Sequence, residues 1–299
     1  MDLVDLALAE DLGPLGKGIG AGTEAGDITS RAFIPESSIS SAKIIAREAC
    51  VVSGLAVARE VFRKVDPSLT VSTPCAEGDA LSPGALLLEV TGSTRSILSG
   101  ERTALNFLGR LCGIATLSRR YANALADALA AAGTGTEVKL LDTRKTTPGW
   151  RTLEKQAVKA GGCVNHRMGL YDAVLVKDNH LAALGDLALL PPVIASLRSG
   201  YPGLPIEIEA DTLEQVERLL VMPGIDVILL DNMSPELMTR AVALRASLAP
   251  AVLLEASGGV TLESLGEIAR TGVDRISVGA LTHSARNADL SLELSPAEH

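Results

Sequence analysis

The stretch Val227-Ile228-Leu229-Leu230-Asp231-Asn232-Met233-Ser234-Pro235-Glu236 decides the fold. Four consecutive branched apolar residues read as a strand buried on both faces. The run stops at an acid, and Ser234-Pro235-Glu236 then opens a helix. It supplies a capping hydroxyl, a proline whose missing N–H costs nothing in the first turn, and an acid at the positive end of the helix dipole. That helix is expected over Pro235–Ser247.

The pattern repeats along the second part of the chain. Further strands are predicted at Val138–Leu141, Ala173–Val176, Ile206–Ile208, Val252–Leu254 and Arg275–Val278. Helices are predicted at Thr152–Ala160, Leu187–Ser199, Leu213–Met222 and Leu262–Thr271, with Asp211-Thr212-Leu213-Glu214 as a second clear helix start. Alternation at this spacing gives parallel strands joined by right-handed crossovers. Six or so such units predict an incomplete β/α barrel, with a doubly wound open sheet as the alternative.

The chain divides near residue 113, giving an α/β protein with a first part over 1–113 and a barrel over 114–282. In the first part Ala42–Ala46, Cys50–Val52 and Leu86–Val90 look extended, punctuated by Pro74, Gly78-Asp79 and Ser82-Pro83-Gly84. Gly13 to Gly26 is glycine-rich and reads as a mobile loop. From Ser99 to about Ala132 the pattern is helical, with Gly109 and Gly113 as kinks or close-packing points.

Composition narrows the function classes. At 299 residues and 47% apolar content the chain can bury a sizeable core. One Trp, three Tyr and three Phe leave that core to Ala, Val, Leu and Ile. The formal net charge of -9 and the scarcity of stacking rings argue against a nucleic-acid surface. No secretory signal and no membrane-spanning run is visible. Cys50, Cys75, Cys112 and Cys163 lie far apart and read as buried thiols of a reducing cytoplasm, without zinc-ligand spacing.

Chemistry in a β/α barrel stands at the C-terminal ends of the strands. Those ends carry Thr143, Arg144 and Lys145, then Lys177, Glu209, Asp231, Ser257-Gly258-Gly259 and finally Val278-Gly279-Ala280. His166 and Arg167 follow in a loop after a helix. Cations gathered against an acidic background suggest a pocket for a small polyanion. Glu209 and Asp231 suit ribose hydroxyls or a hard cation such as Mg²⁺. A strand-end acid that merely caps the next helix is the plainer reading of either one alone. Glycines before a helix suit a phosphate. Lys177 also permits a Schiff-base lyase, and a non-catalytic phosphate-binding barrel is a third possibility. Glu207, two residues before Glu209, shares its face, but Glu209 stands nearer the mouth. His180 and Asn179 are expected to order their loop, and Trp150 to anchor packing.

The runs Asp142-Thr143-Arg144-Lys145-Thr146-Thr147-Pro148-Gly149, His166-Arg167-Met168-Gly169, Lys177-Asp178-Asn179-His180, Glu207-Ile208-Glu209, Leu230-Asp231-Asn232-Met233 and Glu255-Ala256-Ser257-Gly258-Gly259 resemble quinolinate phosphoribosyltransferases. Gly26-Asp27-Ile28-Thr29-Ser30 and Gly100-Glu101-Arg102-Thr103-Ala104-Leu105-Asn106 match as well. The resemblance implies an N-terminal α/β sandwich to which 283–299 returns, an incomplete barrel, and a homodimer in which Arg102 enters the partner's site. Arg47, expected on a strand, would do likewise. It implies that Arg144, His166, Arg167 and Lys177 hold quinolinate and that Lys145 meets pyrophosphate. Glu209 and Asp231 would bind ribose and Mg²⁺, and Ser257, Gly258, Gly259 and Gly279 the 5-phosphate. Lys145, Lys177, Glu209 and Asp231 would be the catalytic set.

Overall fold

The computed structural model describes residues 2–13, 26–133 and 137–296. The loop expected between Gly13 and Gly26 lies, apart from its two ends, outside the described residues. Elements follow in chain order: α1 Leu3–Leu12, α2 Ile28–Phe33, β1 Ile39–Ala46, β2 Cys50–Val51, α3 Leu55–Val65, β3 Thr70–Ser72, β4 Ala80–Leu81, β5 Leu86–Ser93 and α4 Thr94–Ala132. Then come β6 Lys139–Leu141, α5 Arg151–Ala160, β7 Val174–Val176, α6 Asp178–Leu184, a 3-10 turn at Leu187–Leu189, α7 Leu190–Gly200, β8 Ile206–Ala210 and α8 Leu213–Leu220. The chain continues through β9 Val227–Asp231, α9 Pro235–Leu248, β10 Leu253–Ser257, α10 Leu262–Arg270, β11 Arg275–Ser277, α11 Ala280–His283 and β12 Leu290–Pro296.

Two compact units result. The first holds residues 1–119, 147–162 and 285–299. Its four-stranded antiparallel sheet runs β12-β1-β5-β3, so the C-terminal strand closes one edge. Along β1, Ala42, Ile44 and Ala46 are buried while Lys43 between them is exposed, the alternation of a half-covered sheet. Arg47 falls just past β1 rather than within it, where its N–H donates to the Asp289 carbonyl at 2.9 Å.

The long helix α4 starts earlier than the sequence suggested and runs without a break through both glycines. They are contact points, not kinks: a Cβ on Gly113 would stand 2.0 Å from the Arg286 carbonyl oxygen. The segment 147–162 joins this unit because Trp150 stacks on Phe107 with ring centroids 4.5 Å apart, and because Arg110 bonds Glu154. Glu154 has a fully buried side chain; it accepts from Arg110 Nη2 at 3.0 Å, from Thr147 Oγ1 at 2.7 Å and from the Thr147 N–H at 3.2 Å. Glu154→Ala strands these three donors and the Arg110 Nε–H that also reaches Oε1 at 3.1 Å, so it is expected to lower unfolding stability by about 3 kcal/mol. A urea titration showing under ~1 kcal/mol would remove this network as a support of the unit.

The second unit holds 120–146 and 163–284. Its six parallel strands run β6-β11-β10-β9-β8-β7. From β7 to β11 the order is monotonic, without the reversal of a doubly wound sheet. β6 pairs with the last strand instead of the next one, which curls the sheet into a barrel open between β6 and β7. At that opening Val164 makes a single parallel bridge to Leu141.

One internal repeat was not read from the sequence. Gly224-Ile225-Asp226 precedes β9 and Gly272-Val273-Asp274 precedes β11. Asp226 accepts from the Ile206 N–H at 2.7 Å and pairs with Arg198; Asp274 accepts from the Leu254 N–H at 2.8 Å and pairs with Arg245. Each acid ties the start of its strand to the start of the preceding strand and to the helix that leads into that preceding strand. Among the described residues, no single helix is long and apolar enough to cross a membrane.

Candidate active site

Side chains alternate along a strand, so residues two apart on one strand face the barrel axis together. A cavity of about 620 Å³ opens at the C-terminal ends of the strands of the second unit. Thr143, Arg144 and Lys145 enter from the end of β6, Lys177 and Asp178 from the end of β7, and Glu209 from β8. Asp231 and Asn232 come from β9, Ser257, Gly258 and Gly259 from β10, and His166 and Arg167 from the loop before β7. Leu175, Leu229 and Ser277 form the level beneath.

Three expected residues of this unit do not line it. Ser277 faces inward, so Val278 turns outward, is 1% exposed and donates its N–H to the Leu141 carbonyl at 2.8 Å. Gly279 stands beside the rim: a Cβ there would lie 3.0 Å from Lys145 Cδ. Ala280 begins α11. Arg102 belongs to the first unit, where it is exposed on α4. Asn232, Asp178, Leu175, Leu229 and Ser277 were missed. Three of them were legible, since Leu175, Leu229 and Ser277 face inward at their strand ends.

The mouth divides into three sectors. The first, around the opening between β6 and β7, is cationic. Arg167 donates Nη1–H to the Ala173 carbonyl at 3.0 Å, and burial, then the Arg144 guanidinium, hold its pKa below the usual arginine value. Two guanidiniums facing one cavity call for an anion between them. Asp142, fully buried, accepts the His166 N–H at 2.8 Å and so fixes the start of this loop. Asp172 holds the loop's far side through the N–H groups of Met168 and Gly169.

The second sector is acidic. Lys177 Nζ donates to Glu209 Oε2 at 2.7 Å, and Asp178 N–H donates to Oε1 at 3.2 Å. Lys177 is thus half-exposed and paired with a carboxylate, the reverse of the apolar enclosure that an amine nucleophile needs, and the lyase reading weakens. Burial raises the Asp231 pKa first, and the nearby Glu209 charge raises it further. Glu209, Asp211 and Asp231 can bring one oxygen each within 4.8 Å of one another. A set of hard oxygens with an anionic surplus fits Mg²⁺.

The third sector is small and polar. Gly258 has φ +92°, and a Cβ there would stand 2.2 Å from Asn232 Oδ1. Asn232 itself has φ 52° and donates its N–H to the Ser257 carbonyl at 2.9 Å. Only glycine meets both demands at position 258. The following helix α10 is capped by Thr261, so its N-terminal amides open toward this loop.

Behind His166 lies a polar cluster. Its Nε2 stands 3.1 Å from Glu207 Oε2 and 3.4 Å from Glu255 Oε1. Burial works against the imidazolium, but the Glu207 and Glu255 carboxylates outweigh it and raise the pKa to about 9. His180 plays the smaller part expected of it, since its Nδ1 accepts the Lys177 N–H at 2.9 Å.

Known proteins share this plan. The model for the C-terminal domain of quinolinate phosphoribosyl transferase matches residues 114–293, and that for its N-terminal domain matches 27–112. The nicotinate-nucleotide pyrophosphorylase [carboxylating] of Mycobacterium leprae is 41% identical over 270 residues, covering 90% of this chain and 91% of that protein. The probable enzyme of that name from Bacillus subtilis is 41% identical over 271 residues, covering 90% and 88%. Among solved structures, NadC from Streptococcus pyogenes superposes with a TM-score of 0.84 at 36% identity over 99% of this chain and 96% of its own. Both domain patterns occur here in order, and similarity of this depth runs through the barrel and the first unit alike, so the chain belongs to the quinolinate phosphoribosyltransferase family.

Proposed function

We propose that the cavity joins quinolinate to phosphoribosyl pyrophosphate, releasing pyrophosphate and CO2 and leaving nicotinate mononucleotide, a step of NAD biosynthesis. The observation that carries this reading is the division of one mouth into cationic, acidic and glycine sectors. A dicarboxylate, a ribose and a 5-phosphate need those three environments side by side.

Arg144, Arg167, His166 and Lys177 would hold quinolinate, and Lys145 the departing pyrophosphate. Thr143 would orient the strand-end turn, through the bond its Oγ1 accepts from the Lys145 N–H at 3.1 Å. Ser257, Gly258 and Gly259, with the main chain of Gly279 beside the rim, would cradle the 5-phosphate. Glu209 and Asp231 would bind ribose hydroxyls and Mg²⁺. Bound there, the cation would neutralise charge on the pyrophosphate. The bond from C1 of ribose to pyrophosphate breaks with oxocarbenium character, and the pyridine nitrogen attacks from the opposite face. Positioning and charge stabilisation supply the rate. The bond from C2 to its carboxylate then breaks as CO2 leaves; the electron pair stays on C2, stabilised by the adjacent cationic ring nitrogen, and takes up a proton from solvent. We also place the enzyme in the cytoplasm as a homodimer, with Arg102 of one copy entering the other's pocket. The exposure of Arg102 and the free cysteines support this.

The direct test incubates the protein with quinolinate, phosphoribosyl pyrophosphate and Mg²⁺. Equal amounts of nicotinate mononucleotide, pyrophosphate and CO2, with nicotinate inert, support the reading; absence of product across protein and Mg²⁺ concentrations sinks it.

Two further outcomes are expected. Gly258→Ala must adopt a positive φ and displace Asn232, at a cost of about 1–3 kcal/mol. The KM for phosphoribosyl pyrophosphate should rise about tenfold while that for quinolinate moves little. An unchanged KM would show that this loop does not touch the phosphate. The second concerns pH. Against its burial, the Glu207 and Glu255 carboxylates favour the imidazolium of His166; with an anion on the Nδ1 side to accept its second N–H, that help is complete at neutral pH and lost as pH rises through about 9. The KM for quinolinate should climb over that interval in the wild type and stay flatter in His166→Asn. Parallel profiles would mean that His166 carries none of the dependence.

A further inference from the structure

Glu207 and Glu255 have no role in the reaction as derived above, and neither lines the cavity. Both are buried, 3% and 0% exposed. Glu207 Oε1 and both Glu255 oxygens have no hydrogen-bond partner among the described residues. Two carboxylates buried this poorly satisfied are costly unless something cationic compensates them. Among the described residues the nearby opposite charges are the His166 ring, Arg275, whose Nη1 lies 4.0 Å from Glu255 Oε2, and the Arg167 guanidinium, whose charge Glu207 favours.

His166 does line the cavity, so the two carboxylates stand behind it. Its Nε2 faces them and its other edge faces the loop, where the Arg167 main-chain N–H donates to Nδ1 at 2.7 Å. An imidazolium carries a proton on Nδ1 as well. Two N–H groups cannot face each other at that distance, so the charged ring and the Arg167 bond exclude one another. An anion arriving on the Nδ1 side removes the conflict, because one oxygen can accept from both donors.

We propose that Glu207 and Glu255 are positioning residues for quinolinate: with Glu207 holding the Nε2–H of His166 from behind and Glu255 adding its charge 3.4 Å away, they turn its Nδ1, together with the Arg167 main-chain N–H, into a paired receptor for one substrate carboxylate. The proposal rests on the quinolinate reading of the cavity. Neither acid touches the substrate; each acts through the ring. Arg144 and Arg167 face the same end of the cavity, and Arg275 balances Glu255 from β11.

The test uses Glu207→Gln, Glu207→Leu, Glu255→Gln and Glu255→Leu in the full chain. Leucine variants should raise the KM for quinolinate at least tenfold and leave that for phosphoribosyl pyrophosphate within twofold. Glu207→Gln, which keeps an oxygen acceptor, should recover most of the loss. Equal rises in both KM values, or no rise, overturn the proposal. Should the leucine variants fail to fold, ¹⁵N NMR of the wild-type His166 ring decides, with the signal assigned by His166→Asn. Nε2 should carry a proton in the free protein, and both nitrogens should carry one when quinolinate is bound. An unprotonated Nε2, or a ring unchanged by bound quinolinate, overturns it. A wild-type protein that neither binds nor converts quinolinate defeats the functional reading instead. The Nε2 signal of the free protein still reports whether the carboxylates grip the ring.

Discussion

Replacing Arg167 with alanine is expected to lower kcat/KM for quinolinate about a thousandfold, while the folded protein becomes no less stable to heat. The first half follows from geometry. Arg167 is anchored by its bond to Ala173 in a loop that Asp142 and Asp172 fix from both ends. Its guanidinium is therefore ordered before substrate arrives, and little entropy is lost in binding. Truncating one partner of a desolvated charge pair costs on the order of 2–5 kcal/mol, and 4 kcal/mol is about a thousandfold. The second half follows from repulsion. Burial and the neighbouring Arg144 both oppose the charge on Arg167, and the Glu207 and Asp172 carboxylates offset this only in part, so the free protein carries it at a loss that a bound anion would repay. Removing it relieves the free state and penalises the bound one. Lysine at 167 should recover only a small part, because an ammonium lacks the planar fork that matches a carboxylate. Less than a tenfold loss in Arg167→Ala would mean that quinolinate sits elsewhere.

The barrel was legible in the sequence because its strands are short and largely apolar, and most are followed by a helix with its own start signal. Val227–Leu230 and Ser234-Pro235-Glu236 became β9 and α9 nearly to the residue. Strand ends placed the mouth for the same reason: a run of Val, Ile and Leu stops where solvent begins. What lay deeper was harder. Glu207 and Glu255 sit one step below the mouth, and a glutamate inside a strand gives no local sign of whether it meets water, a cation or a histidine from a loop 41 or 89 residues earlier. The spacing of Glu207 to Glu209 and of Glu255 to Ser257 marked their faces, and the partner was supplied by the fold. The helix α6 was missed because its seven residues begin inside a motif read for chemistry. The Asp226 and Asp274 ties show the opposite case. Their repeated Gly-x-Asp is visible in the letters, but its meaning depends on the parallel register of β8 with β9 and of β10 with β11.

Glu209→Gln should reduce kcat by about a hundredfold to a thousandfold, the range seen when one preorganised group that stabilises developing charge is removed. Glutamine keeps the shape and keeps an oxygen for the Asp178 N–H, so α6 should stay in place. What it removes is one negative charge from a sector built to carry a surplus of them. Glu209 has two claimants in the free protein, Lys177 Nζ at 2.7 Å and Asp178 N–H at 3.2 Å. A ribose or a Mg²⁺ bound at this sector would compete with Lys177 for the carboxylate, and the released ammonium would then be free to meet the substrate's own anions. On the proposed function, the ion pair would hold both groups in readiness and be exchanged on binding. The variant frees Lys177 prematurely and relieves Asp231, whose raised pKa owes its second contribution to Glu209. Quinolinate binding alone should therefore survive, or tighten, while turnover collapses and the Mg²⁺ concentration for half-maximal rate rises. Calorimetric titration of quinolinate beside steady-state rates separates the two effects. A variant that loses quinolinate affinity and turnover together would place Glu209 among the groups that merely shape the pocket, and Asp231 would then be left to face the oxocarbenium alone.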